Sequence, residues 1–123
     1  MNLKAFATAI FICLVAHQIE EYANRFWADF PLSPMSITFF ISFNLTADVA
    51  MLLILILLWR NSKVAIRVSQ IFVWLMTLNG MVHIIWAIAS NSYRPGLATG
   101  IGFIAIHALA WIRWRGRIYS PAG

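Results

Sequence analysis

Charge is scarce in this chain. Only 11% of its 123 residues are charged, against about a quarter in an ordinary soluble domain. Acidic residues number four, and cysteine occurs once, as Cys13. A lone cysteine excludes an intramolecular disulfide and leaves the redox compartment unread. There is no glycine-rich phosphate loop, no haem-attachment motif, and no serine with a convincing histidine partner, so those classes of chemistry are set aside. Internal repeats and low-complexity tracts are also missing. Apolar residues are what the chain has, at 62%, and that balance belongs to integral membrane proteins. The net charge of +5 comes from basic residues at the ends of apolar segments rather than from a polar face. No nucleic-acid motif accompanies them, so the expected partner is the lipid bilayer and not nucleic acid.

Four segments reach the roughly 20 apolar residues that a crossing needs. They run over about 3–24, 36–59, 67–90 and 96–114. In lipid, segments of this length must be helices, because unpaired backbone groups find no water there. The expected fold is an all-α, four-helix membrane bundle forming one domain. Lys4 followed by Ala5–Ala16 has the shape of a signal peptide, but the charged motif that follows at once makes it an uncleaved first span. The 25–35 connection, with Pro31, Pro34 and the aromatics Phe26, Trp27 and Phe30, reads as an interfacial loop or short surface helix. The 60–66 connection is short and basic. The 91–95 connection is a tight turn ending in Pro95.

Lys4, Arg60, Lys63, Arg67, Arg113, Arg115 and Arg117 fall on one side of such a bundle, and Arg25 and Arg94 on the other. By the positive-inside rule both termini are cytoplasmic. Trp27, Trp59, Trp86 and Trp114 lie near span ends, as an aromatic belt requires. The basic tail from Arg115 to Tyr119 suits anchoring at anionic lipid.

The few remaining polar groups converge in depth. Three of the four acids, Glu20, Glu21 and Asp48, and all three histidines, His17, His83 and His107, lie in or at the edge of apolar segments. Intramembrane ionisable groups cost about 2.5–3.5 kcal/mol each on insertion scales, so they mark function. Counting turns from the segment ends puts all six, with Asn44 and Asn79, in the outer half of the bilayer. His17, Glu20 and Glu21 share a helix face, as do the i, i+4 pairs Asn44/Asp48 and Asn79/His83. Gly96 and Gly100 lie on the stripe that reaches His107. Close helix packing is the ordinary use of such glycines, and space for a substrate is the other.

Carboxylates with no Lys or Arg at matching depth call for protons or a cation. Three imidazoles nearby favour a metal, since His nitrogen with Asp or Glu oxygen is the ligand set of catalytic zinc and non-haem iron. The expected ligands are His17, His83 and His107 with Glu20 or Glu21. The other glutamate serves as general base or as a group that orients a ligand. Asp48 joins the catalytic set, and Asn44 and Asn79 orient imidazoles or contact substrate. A hydrogen-bonded core histidine is the bland alternative for each imidazole alone. Cys13 reads as a small apolar residue.

Taken together, the motifs resemble the HXXEE family of small bacterial integral membrane proteins. His17-Gln18-Ile19-Glu20-Glu21 matches the motif that names it, Asn79 to His83 its third-span Asn and His, and Tyr93-Arg94-Pro95-Gly96 its Tyr-x-Pro-Gly turn. The resemblance implies a multi-pass protein of the bacterial inner membrane. It adds Tyr93 and Gly96 to the site residues and implies no reaction.

Three functions compete at this point. The first is a metalloenzyme, hydrolase or oxidoreductase, that takes a lipid-like or apolar substrate from the outer leaflet. The second is a proton- or metal-coupled carrier. Four short spans with acids in the first resemble small multidrug transporters, which work as homodimers, but a carrier needs polar groups in both halves of the membrane. The third is a non-catalytic subunit in which the polar cluster holds helices together, at about 0.6 kcal/mol per contact.

Overall fold

The structure is a computed structural model and describes residues 2–30 and 34–114. It is all-α, with α1 Leu3–Ala23, α2 Phe26–Asp29, α3 Ile37–Trp59, α4 Lys63–Ser90 and α5 Leu97–Trp114. Pro31, Arg115, Arg117 and Tyr119 lie outside the described residues, as do the side chains of Arg113 and Trp114.

Each helix boundary has a local cause. Asn2 accepts a hydrogen bond from Ala5 N at 3.1 Å and Ser36 from Phe39 N at 3.1 Å, so both act as N-caps. Ser62 does the same for α4 more loosely, at 3.5 Å from Ala65 N. That cap starts α4 at Lys63, a turn earlier than the expected 67, and draws Lys63 to Ile66 onto the helix. The α3–α4 connection is thereby cut to Arg60–Ser62, with Asn61 in the left-handed region at φ 62°. Asparagine tolerates that conformation better than most residues. The expected surface helix in the 25–35 connection is α2, entered through Arg25 at φ 57°.

Three helices, α1, α3 and α4, are long and apolar enough to cross a membrane. Where a fourth span is expected, at 96–114, the structure has the shorter apolar α5 of 18 residues, about 27 Å long at 1.5 Å per residue. Two cation–aromatic contacts mark opposite ends of the bundle. Lys4 Nζ sits 5.7 Å over the Trp59 ring, and the Arg94 guanidinium sits 5.1 Å over Trp86.

The buried stripe of α1 runs Leu3, Phe6, Ala7, Ile10, Leu14, His17 and Glu21, stepping by three and four as one helix face must. It faces α4 and α5, and Phe6, Ile10, Val73 and Phe103 fill the space between. α3 lies against α1 and α4 and, among its described residues, buries only Phe40 near its N-terminal end and Leu55 and Leu58 near its C-terminal end. Most of its apolar surface is exposed.

α4 and α5 approach closely through two glycines. A Cβ on Gly80 would sit 2.4 Å from the Gly100 carbonyl oxygen, and one on Gly100 would sit 3.2 Å from the Gly80 carbonyl. Close packing is thus the use of Gly100. Gly80→Ala is expected to lower stability by about 1–3 kcal/mol, because backbone must move to admit the methyl. Gly102→Ala meets only Cys13 Sγ at 3.2 Å, a side chain that can turn aside, and should be nearly silent. Thermal unfolding of the two variants in one detergent checks the contrast, and equal melting temperatures would refute it.

Candidate metal centre

The last turns of α1 present their polar side chains in different directions, because successive helical residues are 100° apart. Glu21 turns inward with His17, one helical turn before it, and both are buried. Glu21 Oε1 lies 3.3 Å from His17 Nε2 and 3.4 Å from His83 Nε2 of α4. The two imidazoles meet edge to face, with centroids 4.7 Å apart. Ligand atoms of all three residues lie within 4.8 Å of one another, and among the described residues this is the group that could hold a metal ion. An ion about 2.1 Å from each ligand atom in tetrahedral geometry holds those atoms about 3.4 Å apart. The two Glu21–imidazole separations already match that edge.

Glu20 points to α5 instead. Its Oε2 accepts from the Thr99 backbone N–H at 2.8 Å and from the Thr99 hydroxyl at 2.6 Å. Its Oε1 accepts from Ala98 N at 3.1 Å and from the Tyr93 hydroxyl. A carboxylate on the first-turn N–H groups of a helix is a favourable arrangement for both. Burial first, and donation to Glu20 second, push the Tyr93 phenol up to about 12. What this bond contributes to stability is therefore complete below the ordinary tyrosine value near 10 and is lost as pH rises through about 12.

Thr99 also touches the imidazole of His17, with Oγ1 2.7 Å from Nδ1. A threonine hydroxyl has one proton. That proton goes to Glu20 at 2.6 Å rather than to the Gly96 carbonyl at 3.5 Å. His17 Nδ1 must then be the donor to Thr99, which leaves the lone pair of Nε2 facing Glu21. Asn79 Nδ2 lies 3.1 Å from the same Nε2 and would donate to that lone pair only where no ion holds it. The carboxylate–hydroxyl–imidazole chain fixes the tautomer a metal ligand needs.

Gly96, at φ +84°, forms the floor beneath both rings. A Cβ there would be 2.5 Å from His17 Cε1 and 2.7 Å from His83 Cε1. The Pro95 backbone lies close to the His83 imidazole, whose Nδ1 has no well-aligned hydrogen-bond partner.

The cluster opens on a cavity of about 410 Å³ between α1, α3 and α4, with α2 against it. His17, Gln18, Glu21, Asn44, Asn79 and His83 give it polar groups, and Phe26, Phe30, Phe39, Phe40 and Phe43 supply most of the rest. Asp48 does not reach it directly but accepts from Gln18 Nε2 at 2.9 Å.

The structure thus brings together His17, Glu21, His83, Asn79 and Gly96, and ties Glu20 and Tyr93 to them through Thr99. It does not bring His107 to the group. His107 Nδ1 lies 2.7 Å from Thr77 Oγ1, whose proton goes to the Val73 carbonyl at 2.9 Å. The ring packs against Trp74 at 4.5 Å and Phe6 at 5.2 Å. Two participants are not found by sequence reasoning. Gln18 lies inside the motif, where an uncharged amide carries little weight beside a histidine and two glutamates. Thr99 gives no signal beyond its place three residues after Gly96, at the start of a helix.

The family described as "Protein of unknown function with HXXEE motif" matches residues 8–111, nearly the whole chain. No curated protein and no solved structure matches the chain.

Proposed function

The chain belongs to the HXXEE family, and we propose that it is a multi-pass membrane metalloenzyme acting on an apolar, lipid-like substrate. His17, Glu21 and His83 hold a single divalent ion, zinc or iron. One observation carries this reading: a buried carboxylate oxygen lies within 3.4 Å of two imidazole Nε2 atoms, at the polar wall of a largely phenylalanine-lined cavity. Two imidazoles and one carboxylate with positions left open is the donor set of catalytic zinc and of mononuclear non-haem iron. An ion there would supply Lewis acidity, and iron would add redox chemistry.

The two glutamates divide the work. Glu21 is the ligand. Glu20 has both oxygens occupied by α5 and Tyr93, so it holds Thr99 in place and is not free to act as a base. That occupancy favours chemistry needing no second carboxylate over glutamate-assisted hydrolysis. Asn79, Asn44 and Gln18 orient what enters the cavity, and Asp48 holds Gln18. His107 serves helix packing through Thr77. With α5 as the fourth span and the basic ends in the cytoplasm, the centre belongs to the outer half of the bacterial inner membrane.

The test is elemental mass spectrometry on protein purified without an affinity-tag metal. About one zinc or iron per chain is expected, with loss in His17→Ala and His83→Ala. The same metal content in both variants, or none in the parent after reconstitution, would overturn the reading.

A further inference from the structure

The cavity beside the histidines is built in two parts, and the parts say what fits. Its inner wall is polar and buried: His17, Glu21 and His83 are 2%, 7% and 4% exposed. Its rim is not. Phe39 and Phe43 line the same cavity, yet remain 59% and 63% exposed. A residue that both lines a cavity and faces outward stands at its mouth. These two lie one helical turn apart on α3, with rings stacked at 6.1 Å, on the helix whose apolar surface is mostly exposed. The mouth therefore opens sideways into hydrocarbon. On the aqueous side Phe26 of α2 covers the cluster, with its ring 5.8 Å from His83 and 6.1 Å from Trp86.

Charge narrows the occupant further. No Lys or Arg occurs among the described lining residues. Arg94 does not line the cavity: it is bonded to Ser90 Oγ at 2.8 Å and laid over the Trp86 ring. A divalent ion is balanced by Glu21 and by Glu20, which is coupled to it through Thr99 and His17. A phosphate or carboxylate head would enter this space unpaired, at a steep desolvation cost. The uncharged amides of Gln18, Asn44 and Asn79 instead match a neutral oxygen, as acceptor or donor.

We propose that the cavity takes a neutral long-chain lipid bearing an oxygen function, of the alcohol, aldehyde or ester class, sideways from the bilayer between the Phe39 and Phe43 rings. The oxygen lies at the polar wall and the chain runs out past the phenylalanines. The proposal rests on the metal reading for what meets that oxygen and for the charge balance beside it, whereas the shape of the chamber and the lack of Lys and Arg among its described lining residues do not depend on an ion.

The test uses two photoactivatable probes in nanodiscs holding the whole protein. One is a long-chain alcohol with a diazirine in its chain, and the other is the matching carboxylate. The alcohol should label the Phe39–Phe43 turn and Met76, compete with unlabelled alcohol, and exceed the carboxylate by roughly tenfold, as expected for a neutral oxygen against a buried charge. Met76→Trp, which fills the chamber, should remove the competed label. Met35→Lys, which places a cation in the lining, should raise carboxylate labelling towards that of the alcohol. Thermal unfolding shows whether each variant is folded, and Met35→Lys carries the test if Met76→Trp is not. Equal labelling by both probes, label that resists competition, or an unchanged ratio in Met35→Lys overturns the proposal. Metal content measured on the same samples separates the two readings. Bound metal without competed label sinks this inference alone, and competed label without metal sinks the metal centre alone.

Discussion

Glu21→Gln is expected to abolish metal binding, whereas Glu20→Gln, one residue away, keeps the ion and loses stability. The two carboxylates are adjacent in sequence and point to different helices. Glu21 is the sole negative group within 3.4 Å of His17 Nε2 and His83 Nε2 among the described residues. Replacing it by a neutral amide removes both the anionic donor and the charge that draws a cation into an apolar surround. Affinity should fall by at least about 100-fold, more than is usual for groups that merely support a ligand. Glu20 gives its oxygens to Ala98, Thr99 and Tyr93. Its glutamine variant can still accept from the Thr99 hydroxyl, so the His17 tautomer survives, but the charge at the start of α5 is gone. Glu20 is partly exposed, so the loss should be modest, about 1–2 kcal/mol. Elemental analysis and thermal unfolding of both variants decide the matter. Equal metal loss in the two would mean that the pair acts as one site.

The second large effect is expected from a single methyl group. Gly96→Ala should strip the metal and lower stability by about 3 kcal/mol or more, through two mechanisms acting together. At φ +84° an L-residue is strained whatever surrounds it. The new Cβ would also stand 2.5 Å and 2.7 Å from ring carbons of His17 and His83, which could yield only by leaving their contacts with Thr99 and Glu21. Gly80→Ala strains the α4–α5 contact lower in the bundle and leaves the ligands alone, so it should lose stability and keep its ion. A Gly96→Ala protein with parental metal content and melting temperature would refute this account of the floor.

Much of this arrangement is legible in the sequence because membranes punish exceptions. Long apolar runs have one backbone solution, so three spans and the α2 segment follow almost from composition. Polar residues in such runs need partners, so His17, Glu21, Asn79 and His83 group together by depth along the chain's four apolar runs. Depth is where that reasoning stops. It does not distinguish Glu20 from Glu21, since a 100° step decides which neighbouring helix each one meets, and the neighbours come from tertiary packing. It groups His107 with the others because counting turns locates a residue along the membrane normal and not around the helix axis. Thr99 escapes for another reason. Its role comes from a single proton that cannot be given to two acceptors, and nothing in a lone threonine codes for that. The early start of α4 is hidden because Lys63, in a short basic stretch, reads as a loop, although a serine cap lets a helix begin there.

The division of labour at the end of α1 also bears on how the protein is made. His17, Glu20 and Glu21 leave the ribosome long before the residues they bind, His83 and Thr99, which are some 60 to 80 positions later in the chain. During that interval the first helix must sit in the bilayer with two carboxylates and no partner. Their place in its last turn makes this tolerable, because the end of a span borders the headgroups and water can reach it. The fourth and fifth helices then withdraw these groups from water as they arrive. The centre should accordingly be the last part of the protein to form, and an arrested chain ending before α5 should have its first helix inserted and Glu20 still wet.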